Sequence, residues 1–66
     1  MKQISGKDIL IMQLIADGYT YLEIAEKTGT AFATIQNRMY RVRKKYECKS
    51  KTDLVVKLLR EKIIKW

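Results

Sequence analysis

Three times along this chain a small hydroxyl residue is followed, three positions on, by an acid: Ser5-Gly6-Lys7-Asp8, Thr20-Tyr21-Leu22-Glu23 and Ser50-Lys51-Thr52-Asp53. Each sits immediately ahead of an apolar-periodic run, the order that marks a helix start. The hydroxyl oxygen accepts one of the backbone N–H groups that a first helical turn leaves unpaired, and the acid reaches back to the capping residue's own N–H. Gly18, Gly29 and the stretch Glu47-Cys48-Lys49 interrupt the runs, proline is absent, and no segment alternates as a strand. The spacing predicts helices at about 6–17, 21–28, 31–46 and 51–65, and so an all-α, four-helix domain.

With 66 residues the chain has room for one small domain over 1–66 and little room for a deep cavity. Without a low-complexity stretch or repeat there is no sign of a linker, and Met1 favours a complete chain over an excised domain. A single cysteine, Cys48, forms no intrachain disulfide and fits a reducing compartment. Histidine is absent and the carboxylates sit mainly at caps, so nothing pairs a nucleophile with a base. No enzyme, metal site or cofactor is therefore expected. No run approaches the ~18 apolar residues of a membrane span, and the N-terminus lacks the order of a secretory signal, so a soluble cytoplasmic protein is expected.

The net charge is +7, and where it sits matters more than its size. Residues 36–51 carry seven cations (Arg38, Arg41, Arg43, Lys44, Lys45, Lys49, Lys51) against Glu47 alone, and the other fifty residues balance to +1. A concentrated basic patch is the footprint of a polyanion-binding surface, although a solvated lysine face gives the same count. The short second helix, the Gly29-Thr30 turn and the long basic third helix form a helix-turn-helix pattern, with an ordinary αα-hairpin as the competing reading.

At roughly 100° per residue, Phe32, Ile35, Met39, Val42 and Tyr46 share an arc of about 80° and are expected to face the core. Opposite them lie Ala33, Thr34, Asn37, Tyr40, Arg41 and Lys44, with Gln36 and Arg43 on one flank and Arg38 and Lys45 on the other. Amides that pair with an adenine edge, a phenol, and cations for phosphate or guanine make this a DNA-reading face rather than a merely solvated one. Small Ala33 and Thr34 at the start of the helix permit close approach to a groove.

From Ile4 to Val55, about four-fifths of its length, the chain resembles without a gap the DNA-binding domain of the LuxR/FixJ family, also called the GerE type. The likeness is carried by Ile4-Ser5 and Lys7-Asp8 for the usual Leu-Thr-x-Arg-Glu opening, Ile11-Met12 and Ile15-Ala16-Asp17-Gly18, Glu23-Ile24-Ala25-Glu26, Gly29, Thr34-Ile35 and Lys44-Lys45. Its most specific part is the run at 16–26. The resemblance implies a third helix that enters the major groove and a fourth that often mediates dimerisation. Matched residue by residue, it implies base reading by Gln36, Asn37 and Tyr40, and backbone contact by Thr20, Tyr21, Thr34, Arg38, Arg41 and Lys44. The wheel adds Lys45 to the phosphate set.

This chain also departs from the family pattern. Ala31 stands where a Ser/Thr cap is usual, so either Thr30 caps the third helix one residue earlier or about 1 kcal/mol of capping is forgone. Thr28 and Thr30 replace the usual Leu and Ile, Glu47 replaces a Gly, and Arg38 stands where His is frequent. Cys48 takes a customary Val position, where a buried, inert thiol is expected.

Leu54, Val55, Val56, Leu58, Leu59, Ile63 and Trp66 spread over roughly 200° of the fourth helix, more than one core needs. Leu54, Val55 and Leu58 are expected to face the core, while Val56, Leu59, Ile63 and Trp66 form a homodimer interface, unless the C-terminal end folds back on the core. Residues 57–66 can also be read as a cationic helix lying on a membrane. In the first helix, Ile9 and Leu10 replace typically charged positions and either broaden the core or meet a protein partner.

The leading expectation is a stand-alone, sequence-specific transcription regulator that binds double-stranded DNA as a dimer on a palindromic site. The alternative is a helix-turn-helix protein-interaction module that binds a transcription-machinery or phage-type partner through Ile9, Leu10 and the fourth helix.

Overall fold

The computed structural model describes residues 4–65. Over them run four helices and no strand: α1 (Gly6–Ala16), α2 (Tyr21–Thr28), α3 (Phe32–Tyr46) and α4 (Lys51–Arg60). All three hydroxyl caps form. Ser5 Oγ accepts the Asp8 N–H at 3.2 Å, Thr20 Oγ the Glu23 N–H at 3.2 Å and Ser50 Oγ the Asp53 N–H at 3.1 Å. On α2 the box is complete, because Glu23 Oε1 also accepts the Thr20 N–H at 2.9 Å. That hydrogen bond and the Thr20 hydroxyl hold the Glu23 carboxyl below its ordinary value. At the start of α3, Ala31 is the capping residue and supplies no side-chain bond, while the Thr30 hydroxyl turns to the Thr28 carbonyl at 3.4 Å. Thr30 therefore does not take over the cap.

The four C-termini share one stop. In each, the N–H of the residue that follows one in the left-handed region bonds a carbonyl five back (Tyr19 to Leu14, Thr30 to Ala25, Cys48 to Arg43, Ile63 to Leu58). This is the Schellman arrangement. Gly18 (φ 102°) and Gly29 (φ 65°) adopt it without steric cost, but Glu47 (φ 56°) and Lys62 (φ 60°) do so against their own Cβ atoms.

Ile11, Met12 and Ile15 from α1, Ile24 and Ala25 from α2, Ile35, Met39, Val42 and Tyr46 from α3, and Leu54 and Leu58 from α4 build the core. Two expectations change. Phe32 is 43% exposed, because the first residue of a helix carries its side chain back beyond the helix end; its ring meets that of Tyr21 instead, centroids 6.5 Å apart.

The fourth helix stops at Arg60, not near residue 65. After it the chain reverses at Lys62, buries Ile64 to 2% exposure and lays Lys65 along α1, where the Gln13 amide holds both its N–H (2.8 Å) and its carbonyl (2.5 Å). Burying an isoleucine side chain is worth about 1.5–3 kcal/mol and a left-handed lysine costs about 1–2, so the reversal is favourable once the Gln13 bonds are added. The C-terminal end does fold back on the core.

Candidate nucleic-acid interface

Turning at Gly29, the chain passes from α2 to α3 in three residues, Gly29 to Ala31. The buried stripe Ile35, Met39, Val42 and Tyr46 then fixes the rotation of α3 about its axis. What it leaves outside is polar. Gln36, Asn37, Tyr40, Arg41, Lys44 and Lys45 are exposed and Thr34 half-buried. Tyr40 is 52% exposed and carries Lys44 Nζ over its ring at 5.5 Å from the centroid, so a phenol and a cation one turn apart are presented together. A helix of 15 residues at about 1.5 Å per residue spans some 22 Å, and with side chains it is about 10–12 Å across, the width a DNA major groove admits.

Beside this face Arg43 and Lys51 are tethered. Arg43 is half-buried and donates from Nη1 to the Lys49 carbonyl at 3.2 Å. Lys51 Nζ stands 5.0 Å over the Tyr21 ring. Burial raises the Tyr21 phenol above its ordinary pKa, with the Arg43 charge pulling the other way. Thr20 is exposed at the end of α2 with its hydroxyl already engaged in the capping box. At the exit of α3, Tyr40, Arg43, Lys44, Glu47 and Cys48 line a shallow depression of about 330 Å³. Cys48 is half-buried there rather than enclosed.

Arg38 lies differently. Its Nη1 donates to Asp8 Oδ1 at 2.9 Å, tying the middle of α3 to the first turn of α1; the two side chains are only 29% and 18% exposed, and Arg38 Nε is buried with no partner. In the sequence Asp8 reads as a capping acid and as part of the family's opening motif, not as a partner of α3. The available signal was a pair of departures: a longer cation at 38 and a shorter acid at 8 than the family pattern has.

Residues 2–58 match the family model of the bacterial regulatory proteins, luxR family. The chain belongs to that family. Membership makes this LuxR-family chain a helix-turn-helix domain of the DNA-binding regulatory type, in agreement with its four helices and absence of strands among the described residues. Comparison with curated proteins finds no match.

Of the residues expected at a helix-4 interface, Val56 is 40% exposed, Leu59 and Ile63 are half-buried against the chain's own core, and Trp66 lies outside the described residues. Val55, expected to face the core, packs against it half-buried. In α1, Ile9 packs on the core while Leu10 is 51% exposed. Among the described residues no three His, Cys, Asp or Glu side chains could together hold a metal ion, and no helix is long and apolar enough to cross a membrane.

Proposed function

We propose that this LuxR-family chain is a sequence-specific transcription regulator that acts in the cytoplasm and reads the major groove with α3. The observation that carries this is the contrast between the two sides of that helix: four side chains buried at 3% exposure or less, and an amide, phenol and cation face opposite. Gln36, Asn37 and Tyr40 read bases. Thr20, Tyr21, Thr34, Arg41, Lys44 and Lys45 contact phosphate and set the register, with Arg38 left out of that set by its pairing with Asp8.

Two copies joined through α4 place their α3 helices on an imperfect palindrome about one turn apart, some 34–36 Å. Val56 is the exposed apolar centre of that face, and the shallow hollow beside it is lined by Asp53, Lys57, Arg60 and Glu61. Asp53 and Arg60 flank Val56 by three and four positions, so an antiparallel two-fold crossing sets each acid against the partner copy's base. With the C-terminal turn folded back on the core, only Leu59, one turn from Val56 and half-buried, extends the contact.

Selection of bound duplexes from a random pool tests the proposal. A defined half-site repeated with two-fold symmetry is the expected result; no enrichment overturns base reading, and a single unpaired half-site overturns the dimer. A second reading, a protein-interaction module, is favoured by one observation, the exposed Leu10 beside half-buried Ile9. It requires that DNA affinity be absent or insensitive to salt.

A further inference from the structure

We infer that Asp8 sets how many cations α3 offers to DNA: by pairing with Arg38 it keeps one of them off the backbone. The inference rests on the DNA-reading proposal above.

Arg38 sits next to the base-reading candidate Asn37 and one turn before Arg41, a position from which a free guanidinium would reach a phosphate. Instead its Nη1 is 2.9 Å from Asp8 Oδ1, and its Nε is buried. The acid has been diverted to make this contact. Glu23, the equivalent acid of α2, returns its carboxylate to the backbone N–H of its own cap, whereas the carboxylate of Asp8 accepts from a side chain thirty residues away.

Each cation that neutralises a phosphate adds about 0.9 to the slope of log affinity against log salt, and does so on any sequence. A cation held by an internal acid adds nothing to that term, on random DNA or on the selected site. Asp8 thereby lowers affinity for every sequence alike, and most at low salt, without touching DNA.

Salt titrations of a random-sequence duplex and of the selected site, run on wild type, Asp8→Asn, Asp8→Glu, Arg38→Met and the Asp8→Asn/Arg38→Met double variant, test this. Asp8→Asn is expected to steepen the slope by about 0.9, so that random-DNA affinity gains some threefold more at 50 mM than at 200 mM salt. Asp8→Glu preserves the pair and the wild-type slope. Arg38→Met alone leaves the slope unchanged, and in the double variant it restores the wild-type value. An unchanged slope in folded Asp8→Asn, or a slope lowered by about 0.9 in Arg38→Met alone, overturns the inference. Circular dichroism establishes folding; should Asp8→Asn not fold, Arg38→Met decides between the same two outcomes. Wild type that binds no DNA overturns the DNA reading and this inference with it, whereas normal wild-type binding with the wrong slopes overturns the inference alone.

Discussion

The side-chain amide of Gln13 spans the backbone of Lys65, accepting its N–H at 2.8 Å and donating to its carbonyl at 2.5 Å. This one residue of α1 thus fastens the last described turn of the chain, with Ile64 buried beneath it. Gln13→Ala removes these two hydrogen bonds, each worth about 0.5–1.5 kcal/mol, together with the exposed 3.2 Å bond from Nε2 to Asp17 Oδ1, and loosens the burial of Ile64. A loss of about 1–3 kcal/mol is expected, read as a drop of several degrees or more in the melting midpoint of a domain this size. An unchanged midpoint would show that the C-terminal turn adds nothing to stability.

Glu47 and Lys62 end α3 and α4 in the left-handed region that Gly29 occupies after α2. Removing the Cβ relieves about 1–2 kcal/mol of steric strain, against about 0.5–1 for the greater freedom of an unfolded glycine. Glu47→Gly and Lys62→Gly should each stabilise by some tenths to about 1 kcal/mol, while Gly29→Ala should destabilise by a comparable or larger amount. Urea unfolding midpoints at constant slope would show it.

Ala31 leaves the first turn of α3 without a side-chain cap. Its extended backbone (φ −63°, ψ 144°) is the conformation a capping serine adopts, so Ala31→Ser is expected to add about 1 kcal/mol. Thermal unfolding checks this. No gain would mean that the orphan N–H groups of this turn are already well served by solvent.

The capping box of α2 gives stability a sign in acid. Hydrogen bonds from Thr20 lower the Glu23 pKa below 4.5 in the folded state. A depressed folded pKa contributes stability that is present above the unfolded value and is lost as pH falls through the folded one. Glu23→Gln keeps an acceptor for the Thr20 N–H but cannot titrate. The variant should therefore lose less stability than wild type between pH 5 and acid. Identical acid profiles would exclude Glu23 as a contributor.

Local chemistry was legible in the sequence, and contacts across the fold were not. Ser5, Thr20 and Ser50 could be assigned as caps because a cap and its partner lie three residues apart, and Gly29 because only its own φ is at issue. Phe32 was misplaced because a helical wheel treats a helix as endless, whereas its first residue has no core beneath its side chain. Ile64 escaped notice because its burial depends on a reversal at Lys62, and lysine is no signal for a left-handed turn. The Asp8–Arg38 pair joins residues thirty positions apart, and Asp8 already had a sufficient local reading as a capping acid. The wheel opposite the buried stripe predicted an outward Ala33, Thr34, Asn37, Tyr40, Arg41 and Lys44; five are exposed and Thr34 is half-buried.

The central claim is that α3 divides its labour between bases and backbone. Paired titrations of Asn37→Ala and Lys44→Ala against the selected site and random DNA, across a range of salt, test it most directly. Asn37→Ala is expected to lose about 1–3 kcal/mol on the selected site and little on random sequence, while Lys44→Ala weakens both alike and lowers the salt slope by about 1. Equal losses on both DNAs for both variants, with unequal slopes nowhere, would contradict the account.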